Sequence, residues 1–120
     1  MTNIGEVLVE WELRRAGHVI LGRNVRAGHL EVDIVSKHNW IVWLWEVRLR
    51  TLRPGDLTYT GEEVPARKRL ALARWHTILP QLRAKLAISD STKIRFALAL
   101  VYRIEKNPRL YILDSFLLEF

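Results

Sequence analysis

Two successive segments in the first half of the chain combine strand-forming residues with acidic side chains. Residues 29–35 are rich in Val and Ile and carry Glu31 and Asp33, and residues 40–50 are rich in Trp and Val and carry Glu46. Both compositions predict β-strands. Because side chains alternate along a strand, Glu31 and Asp33 are expected on one face of a sheet. Carboxylates among so many apolar residues are costly to bury unless a cation compensates them, so this face is where we expect a site.

A short polar connection joins these two strands. Residues 36–39 have the composition of a tight turn, which predicts an antiparallel hairpin. A two-residue loop at positions 38–39 would place Glu46 opposite Glu31. A register that instead sets Asp33 against Glu46 or its neighbours brings all the acids to one side of the sheet.

The second strand separates its charged residues from its aromatic ones. Glu46, Arg48 and Arg50 share one face. Trp43 and Trp45 point the other way, which predicts that these two side chains lie in the core.

The oxygen ligands of these acids suit a hard divalent cation. Asp33 and Glu46, with Glu31 beside them, could hold Mg²⁺ or Mn²⁺, which take carboxylate and water oxygens. Such an ion would polarise a phosphoryl oxygen and activate a water for attack on phosphorus. The alternative interpretation is a solvated, salt-bridged face of an antiparallel sheet.

The composition predicts one small domain, residues 1–120, with an ordered core, since 49% of the residues are hydrophobic. The absence of cysteine excludes disulfides and thiolate metal sites and agrees with a cytoplasmic location. No signal pattern is seen, and no apolar run approaches the ~20 residues of a membrane helix. A net charge of +6 favours nucleic acid as a partner, although solubility alone accounts for such a charge in many small proteins.

The rest of the chain completes an α/β pattern. The further elements are a helix, a strand, a second helix and two strands, at residues 3–16, 18–25, 65 onward, 94–104 and 110–113. Pro80 should kink or split the second helix, and residues 51–63 lack periodicity and predict a mobile loop. The predicted order is therefore α-β-β-β-α-β-β, a mixed β-sheet flanked by helices.

The first helix has two apolar stripes. One consists of Ile4, Val7, Leu8 and Trp11, and the other of Val9, Leu13 and Ala16 together with Glu6. One stripe must pack on the sheet. The other is left for a neighbouring segment or a partner subunit, including a second copy of the chain in a homodimer.

The order and spacing of several motifs resemble the YraN-like family of small uncharacterised bacterial proteins. At the start of the chain the matching residues are Gly5, Glu6, Val9, Leu13, Gly17, Ile20, Leu21 and Asn24. Residues 31–35 and 45–48 are similar to the family's G-E-I-D-L-I and V-E-V-K blocks, and residues 64–69 to its basic start of the second helix. The last two strands match more loosely. The resemblance extends over nearly the whole chain.

That family is similar to the PD-(D/E)XK nucleases, so the resemblance implies a restriction-endonuclease-like core. It further implies that Asp33 and Glu46 bind a metal, and that Glu6 is an auxiliary acid. Arg48 stands where the family motif has a catalytic lysine. Arginine stays protonated and presents a wide planar fork, so it can contact phosphate but cannot act as a base.

Basic residues around the acids predict a track for a phosphate backbone. The candidates are Arg50, Arg53, Arg67, Lys68 and Arg74. The first hypothesis is thus a metal-dependent DNA endonuclease that hydrolyses phosphodiesters. The alternatives are a nucleic-acid-binding module impaired in catalysis by Arg48, and a protein-interaction subunit that uses the spare helical stripe.

The remaining aromatic side chains fit structural roles better than chemical ones. His18, His29, His38 and His76 are expected to be exposed turn residues and not metal ligands. Trp40, at the corner of the hairpin, is the tryptophan that we consider for stacking on nucleic acid.

Overall fold

A computed structural model describes residues 4–52, 74–104 and 107–119, with side chains described for residues 4–49, 74–99 and 101. The helices are α1 (Ile4–Arg15) and α2 (Leu79–Lys85). The strands are β1 (Val19–Ala27), β2 (Leu30–His38), β3 (Ile41–Leu52), β4 (Lys93–Ile104) and β5 (Asn107–Glu119).

The described strands form one mixed sheet in the order β1-β2-β3-β4-β5. Strands β1 to β3 pair antiparallel, β3 and β4 pair parallel, and β4 and β5 pair antiparallel. A parallel pair needs a crossover connection, and α2 lies in the one between β3 and β4. The predicted α/β class, with its order α-β-β-β-α-β-β and mixed sheet flanked by helices, is confirmed.

Two groups of buried apolar side chains hold the helices on the sheet. The first joins Trp75, Ile78 and Leu82 of the α2 region to β-strand residues that include Leu44 and Phe96. The second joins α1 to β2, β3 and β4 through Val9, Leu13, Ile34, Trp45, Val47, Ala97, Ala99 and Val101. Trp43 and Trp45 stack on each other, and Trp45 is buried in this second group, as predicted for the core.

Helix α1 is fixed on one side and open on the other. Glu10 accepts hydrogen bonds from Arg14 and from Arg23 of β1, which ties the helix to the edge of the sheet. The side of α1 that faces away carries Ile4, Val7 and Trp11, which are 46%, 49% and 60% exposed. Within the described residues these three side chains therefore remain uncovered, while Leu8 of the same predicted stripe packs against the sheet with Val9 and Leu13.

The β2–β3 loop lies one position later than residues 38–39. Residues Ser36 to His38 belong to β2, and the loop is Asn39-Trp40, with φ angles of 52° and 65°. Two positive φ angles in a two-residue hairpin loop define a type I′ turn. His38 pairs with Ile41 and Ile34 pairs with Trp45. In this register the acid of β2 that faces Glu46 is Asp33 and not Glu31. Of the two registers that the sequence leaves open, the one that sets Asp33 against Glu46 is therefore formed, and the one with a loop at 38–39 is not.

Other boundaries differ by a few residues. Arg26 and Ala27 continue β1, and the turn that follows consists of Gly28 and His29. A turn at residues 77–78 separates helical residues 74–76 from α2, which has Pro80 in its first turn. Proline is tolerated there because its missing N–H would have no intrahelical partner, and the predicted split at Pro80 is confirmed. The last strand is longer than residues 110–113.

The predicted mobile loop at 51–63 lies outside the described residues from position 53 on, and positions 51 and 52 belong to β3. The start of the helix predicted at residue 65 also lies outside them. In the part of the chain that is described, no helix is both long and apolar enough to cross a membrane.

A polar cluster joins the end of α1 to the β2–β3 hairpin. The rings of His18 and His38 stack with centroids 4.5 Å apart, and His18 Nδ1 lies 2.9 Å from Ser36 Oγ. The buried Ser36 Oγ also accepts a hydrogen bond from Trp45 Nε1. Both histidines are half-buried, so they are packing residues and not the exposed turn residues that the sequence predicts.

This cluster should make the fold sensitive to mild acid. Burial, and secondarily the charge of His38, lowers the pKa of His18 below its ordinary value. A histidine whose pKa is lower in the folded than in the unfolded protein contributes stability above the unfolded-state pKa of about 6.5. This contribution is lost as the pH falls from there through the lower pKa of the folded state. We expect the urea concentration at the midpoint of unfolding to decrease as the pH is lowered from 7.5 to 5.5. His18→Gln should flatten that slope, whereas the exposed His76→Gln should leave it unchanged.

The core against α2 should depend on Phe96. This side chain is fully buried and meets the Trp75 ring edge-on, with centroids 5.0 Å apart. Phe96→Ala leaves a cavity in the core and should cost about 3–5 kcal/mol in the free energy of unfolding. Val7→Ala, at an exposed position, should cost less than about 0.5 kcal/mol. Similar losses in both variants, measured by urea unfolding, would contradict this account of the core.

Candidate active site

An open pocket of about 330 Å³ lies beside the point where β2 and β3 separate. Its lining combines acidic, basic and apolar side chains: His29, Leu30, Glu31, Asp33, Glu46, Arg48, Arg74 and Trp75. Three acids and two arginines therefore face one space, as the strand pattern predicts for the acids.

Asp33 is held in the pocket by the backbone of β3. Backbone pairing between β2 and β3 runs from the hairpin to Ile34 and Trp45. Immediately beyond, the Val47 N–H donates a 2.8 Å hydrogen bond to Asp33 Oδ2. The carboxylate thus takes up a backbone donor where the two strands part. Its second oxygen, Oδ1, can serve a ligand.

The surroundings of Asp33 disfavour its charge. Burial is the main cause that raises the pKa of this carboxyl, and the charges of Glu6 and Glu46 add to it. The hydrogen bond from Val47 and the charge of Arg48 act in the opposite direction without cancelling the rise. A carboxylate whose ionisation is opposed by burial and by other acids gains from a bound cation.

Glu46 and Arg48 lie two residues apart on the same face of β3 and form an ion pair through Glu46 Oε1. Glu46 is the less exposed partner, with 23% of its side chain accessible against 50% for Arg48. The Arg48 guanidinium therefore contacts Oε1 of Glu46, the predicted metal ligand. The second carboxylate oxygen of Glu46, Oε2, lies on the other side of the carboxylate. Arg48 also lines the pocket.

Glu6 approaches the site from α1. It is 8% exposed, buried on the side of the helix that packs on the sheet. It is not part of the pocket lining, but its charge acts on Asp33. The structure therefore brings this predicted auxiliary acid into electrostatic range of Asp33 from a different element.

Glu31 lies at the outer part of the pocket. It is exposed, and its carboxylate is 3.9 Å from the guanidinium of Arg26. His29 is exposed in the β1–β2 turn, as predicted, and also lines the pocket. Its place there was not predicted, because a turn histidine carries no periodic pattern that relates it to a strand acid.

The basic residues predicted to bind nucleic acid are only partly within view. Arg74 is exposed and lines the pocket from the α2 region. Arg53, Arg67 and Lys68, and the side chain of Arg50, lie outside the described part of the chain. Arg74 and Arg48 thus supply the positive charge of the described pocket.

The donor set suits a divalent cation that keeps much of its water. Among the described residues, no group of three or more His, Cys, Asp or Glu side chains is arranged to hold a metal. Asp33 and Glu46 nevertheless line one pocket, and Mg²⁺ is commonly bound by one or two carboxylates together with waters and phosphate oxygens. These two acids therefore fit Mg²⁺ or Mn²⁺ and do not fit a fully protein-ligated metal such as structural zinc.

A family model described as uncharacterised protein family UPF0102 matches residues 5–101. The chain belongs to this family, which is the YraN-like family that the sequence motifs resemble. The match includes Glu6, Asp33, Glu46, Arg48 and Arg74. No curated protein matches the chain.

Because its pKa is raised in the folded protein, the ionised Asp33 carboxylate should destabilise the fold. Stability is lost as the pH rises from the ordinary aspartate pKa of about 4 through the higher folded value. Asp33→Asn keeps a carbonyl oxygen for the Val47 N–H and removes the charge. We expect it to raise the free energy of unfolding at pH 7 by up to about 1 kcal/mol, since water screens this half-buried group.

Urea unfolding in EDTA measures this effect. The gain from Asp33→Asn should disappear near pH 3, where the wild-type carboxyl is neutral. Asp90→Asn changes an exposed acid outside the pocket and should have little effect at either pH. A loss of stability in Asp33→Asn at pH 7 would contradict the electrostatic account.

Proposed function

We propose that this chain is a divalent-metal-dependent DNA endonuclease of the PD-(D/E)XK type. The observation that supports this most is the joint presence of Asp33 and Glu46 in one pocket with Arg48 and Arg74. Acids without arginines would indicate a cation site alone, and arginines without acids an anion site. Their combination suits a phosphodiester together with the metal that neutralises it.

The acids at and near the pocket have distinct parts in this reaction. Asp33 and Glu46 would hold Mg²⁺ or Mn²⁺, with Glu31 and Glu6 as nearby acids. The bound ion would polarise the scissile phosphate and lower the pKa of its water. Asp33 is oriented for this role by the Val47 N–H.

Arg48 would stabilise negative charge on the phosphate. Arginine does not act as a general base, so Arg48 would not remove a proton from the attacking water. Its planar donor fork suits phosphate oxygens, and its ion pair with Glu46 keeps it next to the predicted metal ligand. The attacking water would therefore lose its proton to an acid of the pocket or to solvent.

Two alternatives keep a specific observation in their favour. A non-catalytic nucleic-acid-binding module is favoured by arginine in the position of the motif lysine. A protein-interaction subunit, or a homodimer, is favoured by the exposed stripe Ile4, Val7 and Trp11 on α1. The protein-interaction subunit does not account for Asp33 and Glu46 in one pocket with Glu6 in electrostatic range, whereas the binding module differs from the nuclease only in lacking cleavage.

Cleavage of single-stranded, duplex and branched DNA with Mg²⁺ or Mn²⁺ tests the proposal. Wild type should cleave at least one substrate, and Asp33→Ala should reduce the rate by at least about 100-fold through loss of metal-assisted catalysis. Arg48→Lys should retain activity, because lysine also contacts phosphate. Asp90→Ala, outside the pocket, should match wild type.

The pattern of results separates the alternatives. Cleavage by Arg48→Lys but not by wild type would indicate a nuclease inactivated at this position, with binding as its remaining role. No cleavage and no salt-sensitive DNA binding by any variant would overturn both nucleic-acid functions. Mg²⁺ should also raise the melting temperature of wild type and not that of Asp33→Ala.

A further inference from the structure

The tip of the β2–β3 hairpin presents an unusually exposed aromatic ring. Trp40 is 86% exposed, more than any other large apolar side chain among the described residues. The tip lies at the end of β3 away from the pocket: Trp40 and Glu46 are six positions apart along the chain, or roughly 20 Å. This ring is therefore distinct from the candidate active site but in the same sheet.

The backbone at this position gives no reason for a tryptophan. Trp40 has a φ of 65° in a type I′ turn, where glycine is strongly preferred and a bulky side chain is disfavoured. Asn39, with a φ of 52°, is a residue type commonly found in such turns. Conformations of this kind persist in proteins where a side chain serves a function. Together with its exposure, the strain indicates that the ring and not the turn requires this residue.

The surroundings of the ring are basic. Lys37 Nζ lies 5.8 Å from the centroid of the Trp40 ring. Lys93 begins β4 and pairs with Ile41, the residue after Trp40. Both lysines are exposed, and one acid, Asp90, lies in the connection just before Lys93. The hairpin tip therefore combines an accessible aromatic ring with the Lys37 cation beside it and a second lysine, Lys93, at the start of the neighbouring strand.

We infer that Trp40 stacks on an unpaired base of a nucleic-acid strand, with Lys37 and Lys93 contacting its phosphates. Aromatic rings flanked by positive charge bind single strands in this way, because every base has a face on which to stack. A base inside a duplex has both faces covered by its neighbours, so intact duplex should not use the ring. The inference rests on the proposed function for the class of substrate, nucleic acid, and adds an unpaired segment to it.

The distance to the pocket gives the inference a geometric consequence. Where the nucleic acid between the two places is duplex, with a rise of about 3.4 Å per base pair, the roughly 20 Å between Trp40 and Glu46 corresponds to about six base pairs. A substrate bound at both places would be cut about that far from its unpaired base.

Fluorescence anisotropy in EDTA tests the binding without cleavage. A labelled oligothymidine and a blunt duplex of the same length are titrated with wild type, Trp40→Gly, Trp40→Phe and Trp11→Ala. Glycine suits the type I′ turn, so Trp40→Gly should keep the fold, as circular dichroism and thermal unfolding will show. Trp11 is the matched control, since it is 60% exposed and has the Arg15 guanidinium 5.2 Å from its ring centroid.

We expect Trp40→Gly to weaken oligothymidine binding about tenfold, within the range for loss of one stacked base. Duplex binding should change less than twofold. Trp40→Phe should retain most of the affinity, and Trp11→Ala should bind like wild type. Equal losses on both ligands, no loss on oligothymidine, or the same loss in Trp11→Ala would overturn the inference. Trp40-dependent binding to anionic lipid vesicles with no oligonucleotide binding would also overturn it.

The failure of this inference can be told apart from failure of the proposed function. Cleavage by wild type, together with unchanged oligothymidine binding by Trp40→Gly, would overturn the inference and support the nuclease. A selective loss of single-strand binding in Trp40→Gly, with no cleavage under any condition, would support the inference and count against catalysis.

Discussion

The hydrogen bond from the Val47 N–H to Asp33 Oδ2 stands at the place where β2 leaves β3. Up to Ile34 and Trp45 the two strands pair through their backbones, while β3 continues beside β4 as far as Leu52. A backbone N–H at the point where two strands separate needs another hydrogen-bond acceptor, either a protein group or water. The Asp33 carboxylate meets this need, and in doing so it is held beside Glu46 at the pocket. The geometry of the site therefore depends on how the sheet divides.

Two features of the molecule reduce the stability of the fold. Burial and the charges of Glu6 and Glu46 raise the pKa of Asp33, and Trp40 occupies a left-handed position that suits glycine. Natural sequences tend to break such local rules at functional positions. Both departures carry polar or aromatic groups that a metal ion, a phosphate or a base could engage, which is why we relate both to nucleic acid.

Much of this site could be predicted from the strand pattern, which left two registers of the β2–β3 hairpin open. Alternation along β2 and β3 placed Glu31 with Asp33 and Glu46 with Arg48, and all four line the pocket. The loop at Asn39-Trp40 was missed because tryptophan is rarely found in a type I′ turn. Compared with a loop at 38–39, this one-residue difference changes the residue that faces Glu46 from Glu31 to Asp33, since moving a two-residue loop by one position moves the register by two.

The sequence by itself determined the order of elements, the apolar faces and the presence of acids on two adjacent strands, because these follow from local composition and periodicity. The helical pattern also placed Glu6 on the side with Val9, and only the family resemblance related it to the site of Asp33. The tertiary structure decided that Glu6 comes within electrostatic range of Asp33 and that β2 separates from β3. It also decided the raised pKa of Asp33 and the packing of His18 against His38. Each of these depends on distances between residues far apart in the chain. Such distances are set by how the sheet twists and how helices pack on it, and no local pattern encodes them.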